Sequence, residues 1–330
     1  MKKFLLAIGI ISFAILLIAI GELILNNQEE QFYPFPDLSE ISQKIESPTI
    51  NEEEKNQTKA SPEETKKLVP ALTQEERNWQ WLNEQKKLYE LSPAEINSIL
   101  EELWERFSNK SERLKALSIL RLGTPYQLGP LGEESGRDKD PIFRLDMTDC
   151  TAFVLTNVAL LHSQLLKEAK EMMKFVNYRP PNFEISFENR LHFTTDRNMV
   201  SPYFGAIPEE FLYECELKTV RVTLNKIKPD GKRLIDIDWE KEMEIQYIPN
   251  QCLSEEFFSN LPQVLGIAFI KEGDEKIGLD VRHEGILIDR KFLFHASPIQ
   301  NKVVAENFFE YYFENGKFPK FDGIILFEIT

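Results

Sequence analysis

The sequence predicts an α+β domain with an antiparallel sheet. Apolar residues recur at helical spacing up to about residue 166, and alternating strand patterns take over from about residue 218. An Asp-Gly turn at Pro229-Asp230-Gly231 between two alternating runs adds a hairpin signal.

Taken in order, the first element is a membrane-targeting segment. Lys2 and Lys3 precede an apolar stretch from Phe4 to Leu25 broken only by Gly9, Ser12, Gly21 and Glu22, which is the signature of an exported chain. Ala19-Ile20-Gly21 offers small residues for cleavage, and the stretch is also nearly long enough to span a bilayer, so residues 1–25 read as a signal peptide or a retained membrane anchor. They contain no Cys for a lipid anchor. Residues 26–70 are rich in Glu, Gln, Asn, Ser, Pro and Lys, and burial there cannot offset the entropy of ordering. They read as a disordered acidic and polar tether. The expected location is the periplasm or cell envelope.

Residues 71–330 form the expected folded domain. Ser92-Pro93-Ala94-Glu95 is a capping box with Pro at the first helical position, and Ile96, Ile99, Leu100, Leu103, Trp104 and Phe107 mark the buried face behind it. A second helix is predicted over Ser111 to Leu120, stopped by Gly123-Thr124-Pro125, and a third, buried, over Phe153 to Leu166. Strands are predicted at 218–227, 234–239, 244–248, 264–270, 284–288, 291–295 and 324–329. With 42% hydrophobic residues and 24 Phe, the domain can bury a large core. A net charge of -15 argues against nucleic acid as a partner.

The chemistry-bearing residues fall in two places. Cys150 follows Asp149 and opens an apolar helix, where the macrodipole and free N–H groups favour a thiolate and can hold an oxyanion. His283 and His295, two of only four histidines, stand twelve residues apart, each at or near a predicted strand, on either side of an Asp289-Arg290 turn. They would face each other across a hairpin, one ring orienting the other. No third Cys or His has suitable spacing for a metal site, and no cofactor is expected. Cys150, Cys215 and Cys252 make an odd count, which leaves at least one thiol unpaired in an oxidising compartment; Cys215 and Cys252 are either a bridge or buried hydrophobes.

Four ordered motifs carry a resemblance: Leu122-Gly123-Thr124-Pro125-Tyr126, Asp149-Cys150-Thr151-Ala152-Phe153-Val154, Asn189-Arg190-Leu191-His192-Phe193 and Gly278-Leu279-Asp280-Val281-Arg282-His283-Glu284-Gly285-Ile286. From about Leu120 onward the chain resembles the N-acetylmuramoyl-L-alanine amidase-like branch of the NlpC-type cell-wall cysteine hydrolases. The resemblance implies a papain-like fold in which the Cys helix packs on a sheet carrying the histidines. It implies Cys150 as nucleophile, His283 as base and His295 as the orienting third member. It also implies Tyr126 beside the nucleophile, with Asp149, Arg190, His192 and Asp280 on the substrate side. The implied substrate is a peptidoglycan fragment, a muropeptide, cut between N-acetylmuramic acid and L-alanine by a chain acting as a monomer. A stem-peptide endopeptidase, an acyltransferase and a non-catalytic cell-wall binding protein are the alternatives on the same fold. Two positions depart from the family pattern: Glu284 replaces an apolar residue, and Leu155 stands where this branch often has Glu.

Overall fold

The computed structural model describes residues 72–212 and 215–330. The predicted leader and tether lie outside the described residues. Among the described residues, no helix is long and apolar enough to cross a membrane.

Helices come first. α1 (Gln74–Glu84) is closed by a Thr73–Glu76 capping box, and α2 (Pro93–Arg106) by the predicted Ser92–Glu95 box. α2 buries Ile96, Ile99, Leu100 and Leu103, four of the six residues whose spacing marked its face. α3 (Lys110–Leu120) starts one residue before the prediction because Asn109, whose Oδ1 accepts from the Ser111 and Glu112 N–H groups, is its N-cap. The third predicted helix, Phe153 to Leu166, starts and ends later than the observed one, and the helix after it was not predicted. α4 (Cys150–Leu161) ends at His162, and α5 (Leu166–Asn177) follows after a short break at Ser163-Gln164-Leu165. Ser163 secures that break, because its carbonyl accepts from Trp104 Nε1 at 2.8 Å and its hydroxyl donates to Ala159 O. From Ala152 to Leu161 every residue of α4 is buried, so it is a central helix with no wet face. A short helix α6 (Thr194–Val200) leads into the sheet region.

The strands are β1 (Phe204–Ala206), β2 (Lys218–Leu224), β3 (Lys241–Pro249), β4 (Val264–Ile270), β5 (His283–Ile288), β6 (Phe292–Ser297) and β7 (Lys302–Asn307). A small hairpin of β8 (Phe313–Glu314) and β9 (Phe318–Pro319) follows, and β10 (Gly323–Ile329) ends the chain. Two short helices interrupt this run: α7 (Glu255–Ser259) and α8 (Phe308–Tyr312). The main sheet runs β2-β3-β10-β4-β5-β6-β7, with β1 added on β10, and every pairing is antiparallel. The predicted mixed architecture with an antiparallel sheet is therefore present.

Strand alternation splits the core by face. Ala268, Ile270, Ile286, Ile288, Phe294 and Ala296 join the α2–α5 helices in one cluster. Leu265, Ile267, Phe269, Leu287 and Leu293 pack on the opposite face with Phe258, Phe308 and Tyr312.

The predicted strand at 234–239 is absent. The Asp-Gly turn exists, with Gly231 at φ +76° and its N–H donating to Lys228 O, but β2 pairs with β3 instead. Asn225, in the left-handed region at φ +53°, ends the ladder early, and its side chain takes over the following segment. Its Oδ1 accepts from Ile235 N–H and its Nδ2 donates to the carbonyls of Ile237 and Trp239. Those groups are satisfied inside a loop and have no need of a partner strand. Conversely, β7 has no counterpart in the sequence prediction.

Candidate active site

Three segments converge on Cys150. The first is the strap after α3. Gly123 N–H donates to Val303 O, Tyr126 N–H to Asn301 O, and Thr148 N–H to Pro125 O, all at 2.9 Å. Tyr126 is thereby stitched between the start of β7 and Thr148, two residues before the cysteine. Gly123 sits at φ +84°, a conformation that a side chain would strain, with the Tyr89 hydroxyl 3.2 Å from where a Cβ would lie.

The second is the N-terminus of α4. Asp149 is its N-cap: one carboxylate oxygen accepts from Ala152 N–H at 2.7 Å and the other from Gly129 N–H at 2.8 Å. The acid therefore builds the turn that presents the thiol. Desolvation raises its pKa, and those N–H donors act in the opposite sense.

The third is the start of β5. The Glu284 N–H is directed at the Cys150 sulfur, which lies densely surrounded although the residue keeps some exposed surface. Burial, then the nearby Asp149 and Glu284 carboxylates, push the thiol up to about 12, against the donors Glu284 N–H and Thr151 hydroxyl. Desolvation and the two carboxylates thus work against the thiolate that the helix terminus favours.

His283, the residue before Glu284, forms a chain with two further side chains. Its Nε2 lies 2.7 Å from His295 Nδ1, and His295 Nε2 lies 2.6 Å from Glu306 Oε2. The hairpin forms as expected, with Asp289 and Arg290 both at positive φ and Ile286 paired with Phe294. Gly285 makes the histidine contact feasible, since a Cβ there would lie 2.6 Å from Phe294 O and 3.0 Å from His295 Cβ. Burial, and secondarily His295, hold His283 well below the usual imidazole range, so it rests neutral. Phe269 stacks on His283 at 5.9 Å, and Tyr311 sits 4.8 Å from the His295 ring. Burial raises the phenols of Tyr126 and Tyr311, and both are close enough to feel charge on Cys150.

Behind the thiol, Glu284 and Arg197 form a fully buried ion pair at 2.8 Å, with the Thr194 hydroxyl donating to the same carboxylate. This pair explains why a charge can stand where an apolar residue was expected. Asp280 is also structural: its Oδ2 accepts from both the N–H and the hydroxyl of Thr195 at 2.7 Å, tying α6 to the start of β5.

Arg190 is ion-paired with Glu133 at 2.6 Å and Asp138 at 2.8 Å and donates to Leu131 O. Its donors clamp the charged loop between Tyr126 and Cys150 instead of standing free. His192 Nε2 contacts Phe187 O at 2.7 Å, and burial depresses the ring to about 4. The structure thus brings Cys150 near Tyr126, Tyr311 and the Glu284 backbone that follows His283, and gives Asp149, Asp280, Arg190 and His192 bonds to the scaffold. Sequence reasoning missed Glu306, Tyr311 and Arg197. Glu306 lies on β7, which the sequence reading lacked, and Val303-Val304 is the one local hint of that strand.

These features define a mixed α/β domain whose antiparallel sheet carries a histidine pair, with a half-buried cysteine at a helix N-terminus against the strand that bears His283. The N-acetylmuramoyl-L-alanine amidase-like family matches over residues 116–318, and the chain belongs to that family. Among solved structures, a Legionella pneumophila protein shares 24% identity over 72% of this chain and 95% of its own, with a TM-score of 0.58. An N-acetylmuramoyl-L-alanine amidase from Bacteroides uniformis shares 19% identity over 67% of this chain and 99% of its own, with a TM-score of 0.46. No curated protein matches the chain.

Proposed function

We propose that the protein is an exported cysteine amidase of papain-like, NlpC type that hydrolyses the amide between N-acetylmuramic acid and L-alanine in peptidoglycan fragments. The observation that supports this reading is Cys150 at the start of α4, against the Glu284 N–H, with the hydrogen-bonded His283–His295 pair beginning at the residue before Glu284. Family membership supplies the bond type.

In this mechanism the resting pair is a neutral thiol and a neutral imidazole. His283 engages His295 through Nε2, so Nδ1 is the nitrogen that takes the Cys150 proton as sulfur attacks the lactyl carbonyl. The Asp149 carboxylate occupies the Thr151 and Ala152 N–H groups, which leaves the Cys150 N–H and the Tyr126 hydroxyl to meet the oxyanion. Imidazolium then protonates the departing L-alanine nitrogen. Water, deprotonated by His283, cleaves the thioester, releasing the muramic carboxylate and restoring the thiol.

Cys215 and Cys252 are joined in a disulfide, which suits an oxidising compartment and leaves Cys150 as the free thiol. Export through residues 1–25 and a tether over 26–70 complete the reading, with the enzyme acting as a monomer.

The test is to incubate the full chain with muropeptides and identify the products by mass spectrometry. Release of an intact stem peptide with a free L-alanine amine supports the amidase. Cuts within the stem would reassign it as an endopeptidase, and an acyl group moved to an amine or alcohol would make it an acyltransferase.

A further inference from the structure

The histidine pair does not end at His295. β6 and β7 pair with His295 opposite Val304 and Leu293 opposite Glu306, so Glu306 is the diagonal neighbour of His295 on the same sheet face. Its Oε2 lies 2.6 Å from His295 Nε2. The His295 side chain is 1% exposed and that of Glu306 31%, so the carboxylate lies at the wet end of a chain whose middle is dry.

We propose that Glu306 is a positioning residue that fixes the order of protons along His295 and His283, and so decides which nitrogen of His283 is free to act on Cys150. The inference rests on the reading of Cys150 and His283 given above. A carboxylate only accepts, so His295 Nε2 must carry a hydrogen. Where that is His295's single hydrogen, its Nδ1 is an acceptor, and the 2.7 Å contact then takes a hydrogen on His283 Nε2. His283 Nδ1 is left as a lone pair. Among the described residues no other group hydrogen-bonds that nitrogen, so its lone pair is not taken up by the scaffold.

Without the carboxylate the opposite order is equally allowed: His295 could carry hydrogen on Nδ1 and donate to His283 Nε2. His283 would then hold its hydrogen on Nδ1 and could not accept from sulfur. A catalytic histidine held in the wrong tautomer loses most of its rate while its geometry is kept. As His283 becomes imidazolium during attack, the Glu306 charge also stabilises the cation through the intervening ring. The Tyr311 ring packs against both histidines, and the Lys320 ammonium lies 5.0 Å from the Tyr311 ring centroid. Neither makes a hydrogen bond to a histidine nitrogen in the structure, so neither replaces Glu306.

The experiment uses the full chain labelled with ¹⁵N-histidine. Four histidines give a spectrum that His283→Ala and His295→Ala variants can assign. The expected result for the wild type is the Nε2–H tautomer at both His283 and His295. Glu306→Gln, nearly isosteric but able to donate, should mix or reverse these tautomers and lower kcat on muropeptides by about 10- to 100-fold with KM little changed. Glu306→Asp, which keeps the acceptor, should restore the tautomers and part of the rate. Unchanged tautomers in Glu306→Gln, or a rate loss that Glu306→Asp shares in full, would overturn the proposal. A wild type that cleaves no muropeptide would refute the proposed reaction instead, and the tautomer comparison would still decide the role of Glu306.

Discussion

Replacing Arg197 by Met removes one half of the ion pair behind the nucleophile. Both side chains are fully buried, and the guanidinium makes two contacts with the Glu284 carboxylate, at 3.1 and 2.8 Å. At an effective dielectric of about 20 and a charge separation of about 4 Å, the attraction is worth roughly 4 kcal/mol. In the variant the carboxylate keeps only the Thr194 hydroxyl as a partner, in a site it shares with Asp149 and Cys150. Breaking such a pair on one side costs roughly 3–5 kcal/mol. For a domain of this size that lowers Tm by roughly 6–20 °C, at about 2–4 °C per kcal/mol. The double variant Arg197→Met/Glu284→Leu, which restores the apolar residue expected at position 284, should recover most of the loss, because no buried charge is stranded. Urea unfolding of the wild type, both singles and the double variant closes the cycle. A cost below about 1 kcal/mol for Arg197→Met, or a double variant as unstable as that single, would refute the reasoning.

Three further outcomes follow from the structure. His192 is depressed to about 4 in the fold against an ordinary unfolded value, so the unfolded chain binds more protons between the two. Stability should therefore fall as pH drops from about 6.5 to 4, by up to about 1.4 kcal/mol per unit, and His192→Gln should flatten that part of the profile in urea titrations. Reducing the Cys215–Cys252 bridge, which spans 37 residues, should cost roughly 2–4 kcal/mol, read as a shift of the urea midpoint with added reductant. With its thiol pushed up to about 12, Cys150 in the substrate-free protein should alkylate with a rate that keeps rising past pH 9. An inflection near pH 7 would mean a resting thiolate instead.

The parts of this molecule that were legible in the sequence are those fixed by local chemistry. The Ser92 capping box, the turn at Asp289-Arg290 and the strand at 264–270 each rest on residues adjacent in the chain, and each is present. The segment 234–239 was misread because its alternation is genuine but a distant side chain, Asn225, satisfies its backbone first. The predicted helix ending at Leu166 overran α4, because apolarity alone does not show the break at Ser163 that a Trp104 hydrogen bond fixes from 59 positions away, and α5 was not predicted. At the site, Cys150, His283 and His295 were legible as residue types in a recognised order. Glu306 was not, because its role depends on the register of a strand the prediction lacked. Arg190 and Asp280, read from the motifs as substrate-side, carry bonds to Glu133, Asp138 and Thr195 that only the tertiary fold reveals.

The central claim is that Cys150 performs nucleophilic attack on an amide of the cell wall. The most direct measurement follows muropeptide cleavage by the full chain and by its Cys150→Ala variant at equal concentration, with each variant's unfolding midpoint recorded alongside. The account predicts cleavage by the wild type, none detectable by Cys150→Ala, and an unfolding midpoint little changed between them. Cleavage that persists in a folded Cys150→Ala protein would contradict it.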